Sequence, residues 1–328
     1  MLRRREFLRA SIGAAVAFRA ANAMPGDKFR WACTAGFFAE LQPQPEATFK
    51  ALANYGFQGI ETSRADVDHY KSVAEFNAAL HASGIELCTI SALGDYFNPD
   101  KATETIKNCS AIARDLIAPC GGKHLKVVVN LRKDSPNQMY KGSADFNGPN
   151  QMTAEQWKGF AKTLNEIGKG TMQSGIKFAI HPHIWSLVQT QQELDRLLEL
   201  TDPKLVYIIP DTAHLALGGM DPVAVLRDHW ARVAAVHFKD CDPKYRYDRG
   251  WRGPAPSQLY HEKTNLYLNF GAGGVDFPAC MRILRERNYD GWISLDFDPP
   301  RPGEPSLKES MELRRKYLLG TLHATLQS

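Results

Sequence analysis

Runs of apolar residues alternate eight times along the chain with segments whose apolar positions follow the period of a helix. Such alternation predicts repeated units of one β-strand and one α-helix, with the strands side by side in a parallel sheet. Eight units are the number that closes such a sheet, so the pattern predicts an α/β protein with a (β/α)8 TIM barrel. The predicted strands span residues 29–35, 57–62, 85–91, 124–130, 176–181, 205–211, 233–239 and 292–298.

Local signals mark where the predicted helices begin and end. Thr153, with Gln156 three positions later, predicts a capping box at a helix start, and Asp221 before Pro222 predicts another start. A glycine precedes the strands that begin near 57, 85 and 176, and each time a helical segment ends just before it. This recurrence favours a single domain, residues 24–328, over two separate domains.

The first 23 residues have the pattern of an export signal. Three arginines at 3–5 precede an apolar stretch, and residues 21–23 form a small-residue cleavage site. Residues 4–8, RREFL, resemble the twin-arginine export motif, which implies transport of the folded chain to the periplasm. An uncleaved membrane anchor is the alternative, but Arg19 interrupts the apolar stretch, which is far shorter than the ~20 residues of a membrane-spanning helix. We therefore predict no stable membrane anchor.

The excess of positive charge belongs to this N-terminal segment. The whole chain has 40 basic and 36 acidic residues, and cleavage after residue 23 would remove five arginines and one glutamate. The mature chain would then be neutral, which argues against a nucleic-acid-binding surface. The six cysteines are widely spaced without a CxxC pair, so we interpret them mainly as buried small residues. The alternative is that two of them form one disulfide, as exported proteins allow.

Two predicted connections, residues 131–152 and 241–275, are too long to be simple turns. Both follow the carboxyl end of a strand, the catalytic side of a (β/α)8 barrel, and are candidate lids or substrate walls. The second contains aromatic and arginine side chains that suit stacking on sugar rings; a surface loop or a subunit contact in a homo-oligomer is the alternative. The glycine cluster at 271–274 lies where barrels often bind phosphate, but we interpret it as a tight turn.

Metal-binding side chains follow four successive strands, at the point where each strand ends. They are His181, Asp211, His237 and Asp296, at the ends of strands five to eight. Because the carboxyl ends of parallel strands meet at one rim of a barrel, we expect the four side chains to converge. A mixed set of imidazole nitrogen and carboxylate oxygen suits Mn²⁺, Co²⁺, Zn²⁺ or Fe²⁺ and suits Ca²⁺ poorly. The pattern therefore predicts one divalent metal ion.

Five segments resemble the xylose isomerase-like barrels that are grouped as sugar phosphate isomerases and epimerases. The segments are IHPHIWS, PDTAHLALGGMDPVAVL, VHFKD, FGAGGVDFPACMRILRERNYDGW and SLDFD, and the HxH of the first is closest in pattern to the inosose dehydratase branch. In the epimerase members, Glu, Asp, His and Glu from strands five to eight hold the metal, and by position these roles fall on the four side chains above. His181 and Asp296 stand where those epimerases have glutamates that also move protons.

The resemblance implies a metal-dependent enzyme that enolises a non-phosphorylated keto sugar or cyclitol. We expect an isomerase or epimerase, with a dehydratase or lyase of the inosose dehydratase type as the alternative and a non-catalytic carbohydrate-binding barrel as the second alternative. A metal-dependent abasic-site nuclease would need a basic surface, which a neutral mature chain does not offer. Metal loading before export of the folded chain favours Mn²⁺.

The other polar side chains near the predicted rim are assigned to proton transfer and to substrate binding. The candidates for proton transfer are Lys239, Asp298, Glu61 and His183. The candidates for substrate binding are His183, His214, Lys239, Asp240, Trp251 and Arg252. For His183, His214 and Lys239 the alternative role is support of the metal ligands.

Overall fold

The structure of the chain is a computed structural model that describes residues 26–41, 44–129, 152–246, 249–250 and 265–327. Its main sheet consists of eight parallel strands, namely β1 (Arg30–Thr34), β2 (Gly59–Ser63), β3 (Glu86–Ala92), β4 (His124–Val127), β5 (Lys177–Ile180), β6 (Val206–Ile208), β7 (Val236–Phe238) and β8 (Trp292–Leu295). Their order is β6-β5-β4-β3-β2-β1-β8-β7. Parallel bridges from Ile208 to Val233 and from Asp211 to His237 join the two edge strands. The sheet is therefore a closed barrel, which confirms the predicted (β/α)8 fold.

Each predicted apolar run coincides with one strand; six strands lie within their runs, whereas β2 and β3 each extend one residue beyond the predicted end. β6 ends at Ile208, although the run continues to Asp211, because Pro210 has no N–H to donate to the sheet. The carbonyl of Pro210 still accepts a hydrogen bond from the backbone N–H of His237 at 2.8 Å. The chain thus leaves the sheet just before Asp211 while keeping its register with β7. This places two of the candidate ligands side by side.

Helices follow the strands around the outside of the barrel. In the part of the chain that the structure describes, the α-helices are α1 (Pro45–Asn54), α2 (Arg64–Val67), α3 (Val73–Ala82), α4 (Ala102–Ile112), α5 (Ala154–Met172), α6 (Gln191–Leu200), α7 (Thr212–Leu217), α8 (Pro222–Asp228), α9 (Phe277–Glu286) and α10 (Leu307–Gly320). Short 3-10 turns lie at Ala35–Leu41, Pro99–Lys101, Ala118–Cys120, Trp230–Arg232 and Pro243–Tyr245, and Ala113–Ile117 is a π-helical turn.

The predicted helix boundaries have the expected hydrogen bonds. Thr153 and Gln156 form the predicted capping box before α5, with both reciprocal bonds present. Asp221 accepts a hydrogen bond from Val223 N at the start of α8. The recurrent glycines after α1, α3 and α5 all adopt positive φ, between 70° and 85°, which is the left-handed conformation that ends a helix and which glycine adopts without strain.

The amino-terminal end of the barrel interior is closed by packing. Trp292 at the start of β8 is buried in a cluster with Ala32, Cys88, Ala179, Ile209 and Ala235. A Cβ atom on Gly59 would lie 2.6 Å from the indole ring, so only glycine leaves room for it there. The guanidinium of Arg30 stacks on the same indole at 3.9 Å from its centroid. The opposite end, where the strands finish, is left for polar side chains.

The six cysteines are free buried thiols, as the main interpretation of their spacing expects. Among the described helices, none is both long enough and apolar enough to cross a membrane. The predicted export signal lies outside the described residues, and so do residues 130–151, most of one predicted long connection, and residues 247–248 and 251–264 of the other.

Candidate metal centre and active site

Four side chains from the ends of β5 to β8 converge at one point of the barrel rim. His181, Asp211, His237 and Asp296 each offer one ligand atom, and these atoms all lie within 4.8 Å of one another. His237 Nδ1 lies 3.2 Å from both His181 Nε2 and Asp296 Oδ2, and Asp211 Oδ2 lies 3.7 Å from His181 Nε2. The convergence that parallel strands predict is therefore present in the fold.

The geometry and chemistry of this cluster fit a divalent metal ion. Ligand atoms that surround an ion at about 2.1 Å in a tetrahedron are roughly 3.4 Å apart, close to the spacings between these atoms. Asp211 Oδ2 is buried and has no hydrogen-bond partner in the described part of the structure. Burial and the neighbouring Asp296 raise the pKa of Asp211 to about 6, because two carboxylates share a site with little water. A cation would satisfy the unpaired oxygen and relieve this repulsion.

Asp211 is held in place by the helix that it starts. It is the N-cap of α7, and its Oδ1 accepts hydrogen bonds from the backbone N–H groups of Ala213 and His214, both at 2.9 Å. One carboxylate oxygen is thus committed to the helix, and the other points to the cluster. The proline that ends β6 and the helix start that follows it together fix this ligand.

His237 is held from behind by a buried acid. Its Nε2 lies 2.8 Å from Glu61 Oε2, while its Nδ1 faces the cluster. Glu61 also forms an ion pair with Lys126, and both side chains are buried. Although burial raises the pKa of Glu61, the ammonium of Lys126 and the adjacent ring of His237 hold that pKa below its usual value, so Glu61 is a carboxylate. A carboxylate on one ring nitrogen fixes the tautomer and leaves the other nitrogen as a ligand.

This geometry corrects one prediction. Glu61 was a candidate for proton transfer, but it lies behind His237 and contacts the ring nitrogen that faces away from the cluster. Its carboxylate is already engaged by Lys126 and His237, which favours a role in orienting that ring over transfer of a substrate proton. The sequence could not show this because Glu61 and His237 come from strands that are not adjacent in the sheet.

We expect the double variant Glu61→Gln, Lys126→Met to bind metal about 10- to 100-fold more weakly, because the ring of His237 loses its fixed tautomer. Changing both residues avoids leaving a buried lysine without its partner. Isothermal titration with Zn²⁺ measures the effect, and Glu86→Gln, an acid at an exposed position on β3, is the matched control. Unchanged metal affinity in the double variant would show that Glu61 does not orient the ligand.

Lys239 and Asp298 lie next to the cluster, as the prediction for proton transfer requires. Lys239 Nζ is 3.3 Å from Asp296 Oδ1 and 3.4 Å from Asp298 Oδ1, and the ammonium lies 3.9 Å from the ring centroid of Tyr267. Burial lowers the pKa of Lys239, but the carboxylates around it outweigh this and raise it above its usual value. Lys239 is therefore a buried cation that can donate a proton, not a neutral base.

His183 and His214 form a stacked pair beside the cluster. Their ring centroids are 3.5 Å apart, and the ring of His214 lies 5.4 Å from that of His181. Burial lowers the pKa of His183 to about 3 and that of His214 well below its usual value, so both are neutral imidazoles. His214 Nδ1 meets the hydroxyl of Tyr267 at 3.3 Å, and its buried Nε2 has no hydrogen-bond partner among the described residues. That nitrogen is suited to bind a hydroxyl group of a substrate.

Asp240 has a different role from the predicted one. Its carboxylate accepts hydrogen bonds from the backbone N–H groups of Gly271, Gly273, Val275 and Cys241 at 2.9 to 3.2 Å, so it organises the glycine-rich loop and is not free to bind a substrate. A Cβ atom on Gly273 would lie 2.0 Å from the carbonyl oxygen of Cys241, which explains a glycine at this close approach. Barrels that bind phosphate use such loop amides, and here a carboxylate of the chain itself occupies them.

Two predicted residues cannot be placed, and one residue was missed. Trp251 and Arg252, candidates for substrate binding, lie outside the described residues. Tyr267, which contacts both Lys239 and His214, was not predicted. It belongs to a two-residue strand, Tyr267–Leu268, that pairs antiparallel with Asp240–Cys241. Such a short pair inside a long connection leaves no periodic signal in the sequence.

Comparison with known proteins places these observations in a family. Residues 49–317 match the family described as xylose isomerase-like TIM barrel. An inosose dehydratase from Clostridium tetani (strain Massachusetts / E88) is 38% identical over 170 residues, which are 50% of this chain and 56% of that protein, so this match spans little more than half of that relative. An inosose dehydratase from Clostridium botulinum (strain Alaska E43 / Type E3) is 28% identical over 267 residues, which are 81% of this chain and 85% of that protein.

Solved structures share the fold at low sequence identity. A probable 3-DHS dehydratase, AsbF, involved in petrobactin synthesis in Bacillus anthracis has a TM-score of 0.68 and 17% identity, over 89% of this chain and 100% of that one. The IOLI protein with a bound zinc atom has a TM-score of 0.65 and 14% identity, over 89% of this chain and 97% of that one. At these identities the likeness establishes the barrel architecture.

Proposed function

The chain belongs to the xylose isomerase-like TIM barrel family, and we propose that it is a metal-dependent dehydratase that removes water from a polyhydroxylated ketone of the inosose type. The relatives that it matches are enzymes that act on carbohydrates and cyclitols, which agrees with the expected kind of enzyme. They favour the dehydratase, the alternative expected from the sequence, over the isomerase or epimerase that was expected first.

One observation in the site carries this choice. His181 brings an imidazole to the position where the resembling epimerases have a carboxylate that also moves protons. Epimerisation by two carboxylates needs one base on each face of the substrate carbon, and this site lacks one of those two carboxylates. Removal of water needs one base for the C–H bond and one acid for the departing hydroxyl. Asp298 and Lys239, which lie 3.4 Å apart next to the cluster, provide that pair.

We propose that His181, Asp211, His237 and Asp296 hold one divalent ion. When bound, such an ion polarises the carbonyl of the substrate and acidifies the neighbouring C–H bond. Mn²⁺, Co²⁺, Zn²⁺ and Fe²⁺ all suit the donor set, and metal loading before export would favour Mn²⁺, whereas the zinc in the IOLI neighbour makes Zn²⁺ a direct competitor.

Other residues of the site would carry out proton transfer and substrate binding. The Asp298 carboxylate takes the proton from the carbon next to the carbonyl. The C–O bond at the following carbon breaks, and Lys239 protonates the departing hydroxyl, so that an enone and one water are formed. His183 and His214 hold hydroxyl groups as neutral imidazoles. Lys239 and Asp298 regain their starting charges when the proton on Asp298 returns to Lys239.

A direct experiment tests the reaction. The purified chain, loaded in turn with Mn²⁺, Co²⁺ and Zn²⁺, is incubated with an inosose, and the products are followed by mass spectrometry. We expect a product lighter by one water molecule with at least one of the ions. An isomeric product of unchanged mass would replace the proposal with isomerisation, and an inosose that binds but is recovered unchanged would support the carbohydrate-binding alternative.

We also propose that the chain is exported to the periplasm by the twin-arginine route, on the basis of residues 4–8 and the cleavage pattern at 21–23. Changing Arg4 and Arg5 to lysine is expected to retain the full-length chain in the cytoplasm. Cell fractionation and N-terminal sequencing measure this. A variant that is exported and cleaved as efficiently as the natural chain would contradict the route.

A further inference from the structure

An arginine outside the metal cluster is buried, and two of its three guanidinium nitrogens lack a hydrogen-bond partner among the described residues. Arg314 lies on α10 and is 8% exposed, and its Nε and Nη1 atoms are buried with no hydrogen-bond partner among the described residues. Its guanidinium carbon lies 3.8 Å from the ring centroid of Phe297 and 4.8 Å from that of Phe37. The aromatic faces stabilise the charge but accept no N–H bond of ordinary strength. A buried cation in this state is costly unless something else supplies the acceptor.

This arginine lines a cavity of about 260 Å³ next to the candidate active site. One wall is the segment that follows β8, and the other is the segment around Tyr267. Asp298 and Tyr267 belong to both the cavity and the site, since Lys239 Nζ lies 3.4 Å from Asp298 Oδ1 and 3.9 Å from the ring centroid of Tyr267. A ligand could therefore reach Arg314 and the site at the same time.

The acidic groups in this lining already have partners. Asp298 pairs with Lys239. Glu304 accepts hydrogen bonds from the side chain of Asn265 and from the backbone N–H of Arg301. Neither acid comes within ion-pair distance of Arg314 in the described structure, so each acts on the guanidinium only as a more distant charge. No carboxylate of the lining therefore accepts a hydrogen bond from Arg314 in the described part of the structure.

We propose that this cavity is the subsite for a carboxylate group of the substrate, and that the substrate class of the enzyme is polyhydroxylated acids such as uronates or carboxylated cyclitols. The inference rests on the proposed function and specifies its substrate. A guanidinium binds a carboxylate through charge-assisted hydrogen bonds in a planar arrangement. Because Asp298 and Glu304 also line the cavity, a carboxylate with one negative charge suits it better than a phosphate, which would bring about two. The cavity is smaller than the ~300 Å³ of typical ligand sites, so it holds part of a sugar-sized molecule.

Paired ligands test this directly. Isothermal titration of the metal-loaded chain compares D-glucuronate with D-glucose, and quinate with myo-inositol, because each pair contrasts a polyhydroxylated acid with a neutral analogue. We expect the acid to bind about 10- to 100-fold more tightly in at least one pair. Arg314→Met should remove that difference and leave the affinity for the neutral analogue unchanged. Arg315→Met, the exposed neighbour on α10, is the matched control and should retain it.

The outcomes separate this inference from the proposed function. Equal affinities for acid and neutral analogue in the natural chain would overturn the subsite, and so would an Arg314→Met variant that keeps the preference. Arg314→Lys, which retains the charge but loses the planar donors, serves if the methionine variant does not fold, and it should lose most of the preference. Turnover is measured in a separate assay. If a neutral inosose loses water but acids bind no more tightly than neutral analogues, the subsite is refuted and the dehydratase is not. If acids bind tightly but no substrate loses water, the dehydratase is refuted and the subsite is not.

Discussion

Lys239→Met is expected to lower kcat by about 10²- to 10⁴-fold while the protein keeps its metal, because the variant loses the proton donor for the departing hydroxyl. The lysine lies against Asp296 and Asp298 but is not among the four clustered ligands. Methionine fills a similar volume without the charge. Rates with an inosose and metal content by elemental analysis should be measured on the same preparation.

Lys244→Met is the matched control, since Lys244 is an exposed lysine in the segment that follows β7. Its rate should equal that of the natural chain. If Lys239→Met keeps full activity, the proposed acid is wrong. If it loses metal and activity together, Lys239 acts by holding Asp296 and not by donating a proton.

The second large effect is expected from Asp211→Asn, which separates the two functions of this side chain, namely capping α7 and binding the metal. The amide oxygen of asparagine can still accept the hydrogen bonds from Ala213 N and His214 N, so the cap of α7 is kept and the unfolding free energy of the metal-free chain should change by less than about 1 kcal/mol. The charge that faces the cluster is lost. Because a bound ion supplies several kcal/mol of stabilisation to the developing charge, turnover should fall by more than about 10³-fold.

Asp211→Ala completes this comparison. It removes the cap as well as the ligand, so its unfolding free energy should fall by about a further 1 kcal/mol, whereas its turnover should match that of the asparagine variant. Thermal unfolding of the metal-free proteins measures the first effect, and the rate with an inosose measures the second. An Asp211→Asn chain that turns over substrate normally would remove Asp211 from the metal centre.

The barrel could be predicted from the sequence because its strands are short apolar runs at regular intervals, and parallel strands place their ends at one rim. The predicted strand ends bring His181, Asp211, His237 and Asp296 together at that rim, where the structure also has them. Each candidate ligand lies in a barrel strand or within three residues of the end of one.

The alternation of side chains along a strand does not predict contacts where the chain leaves the strand direction. β7 ends at Phe238, so the alternation of side chains does not reach Asp240, whose carboxylate turns to the amides of the glycine-rich loop. Glu61 does lie in a strand, but the ring of His237 lies between it and the cluster. A sequence pattern does not show which of two converging side chains lies nearer to the cluster.

Tyr267 and Arg314 were missed for another reason. Tyr267 reaches the site from a long connection, and Arg314 reaches its cavity from the last helix. Their positions depend on tertiary packing between segments that are far apart in sequence. Arg314 in particular looks like an ordinary charged residue of a helix whose neighbours Arg315 and Lys316 are exposed. Only its burial between Phe37 and Phe297 sets it apart.

The central claim is that four side chains at the ends of β5 to β8 hold one catalytic ion, and metal content tests it most directly. The natural chain, Asp211→Asn and Asp298→Asn are purified, reconstituted with Mn²⁺, Co²⁺ or Zn²⁺, and analysed for bound metal. We predict about one ion per chain in the natural protein and in Asp298→Asn, and almost none in Asp211→Asn. A natural chain that binds no metal after reconstitution, or an Asp211→Asn chain that binds it fully, would contradict the account.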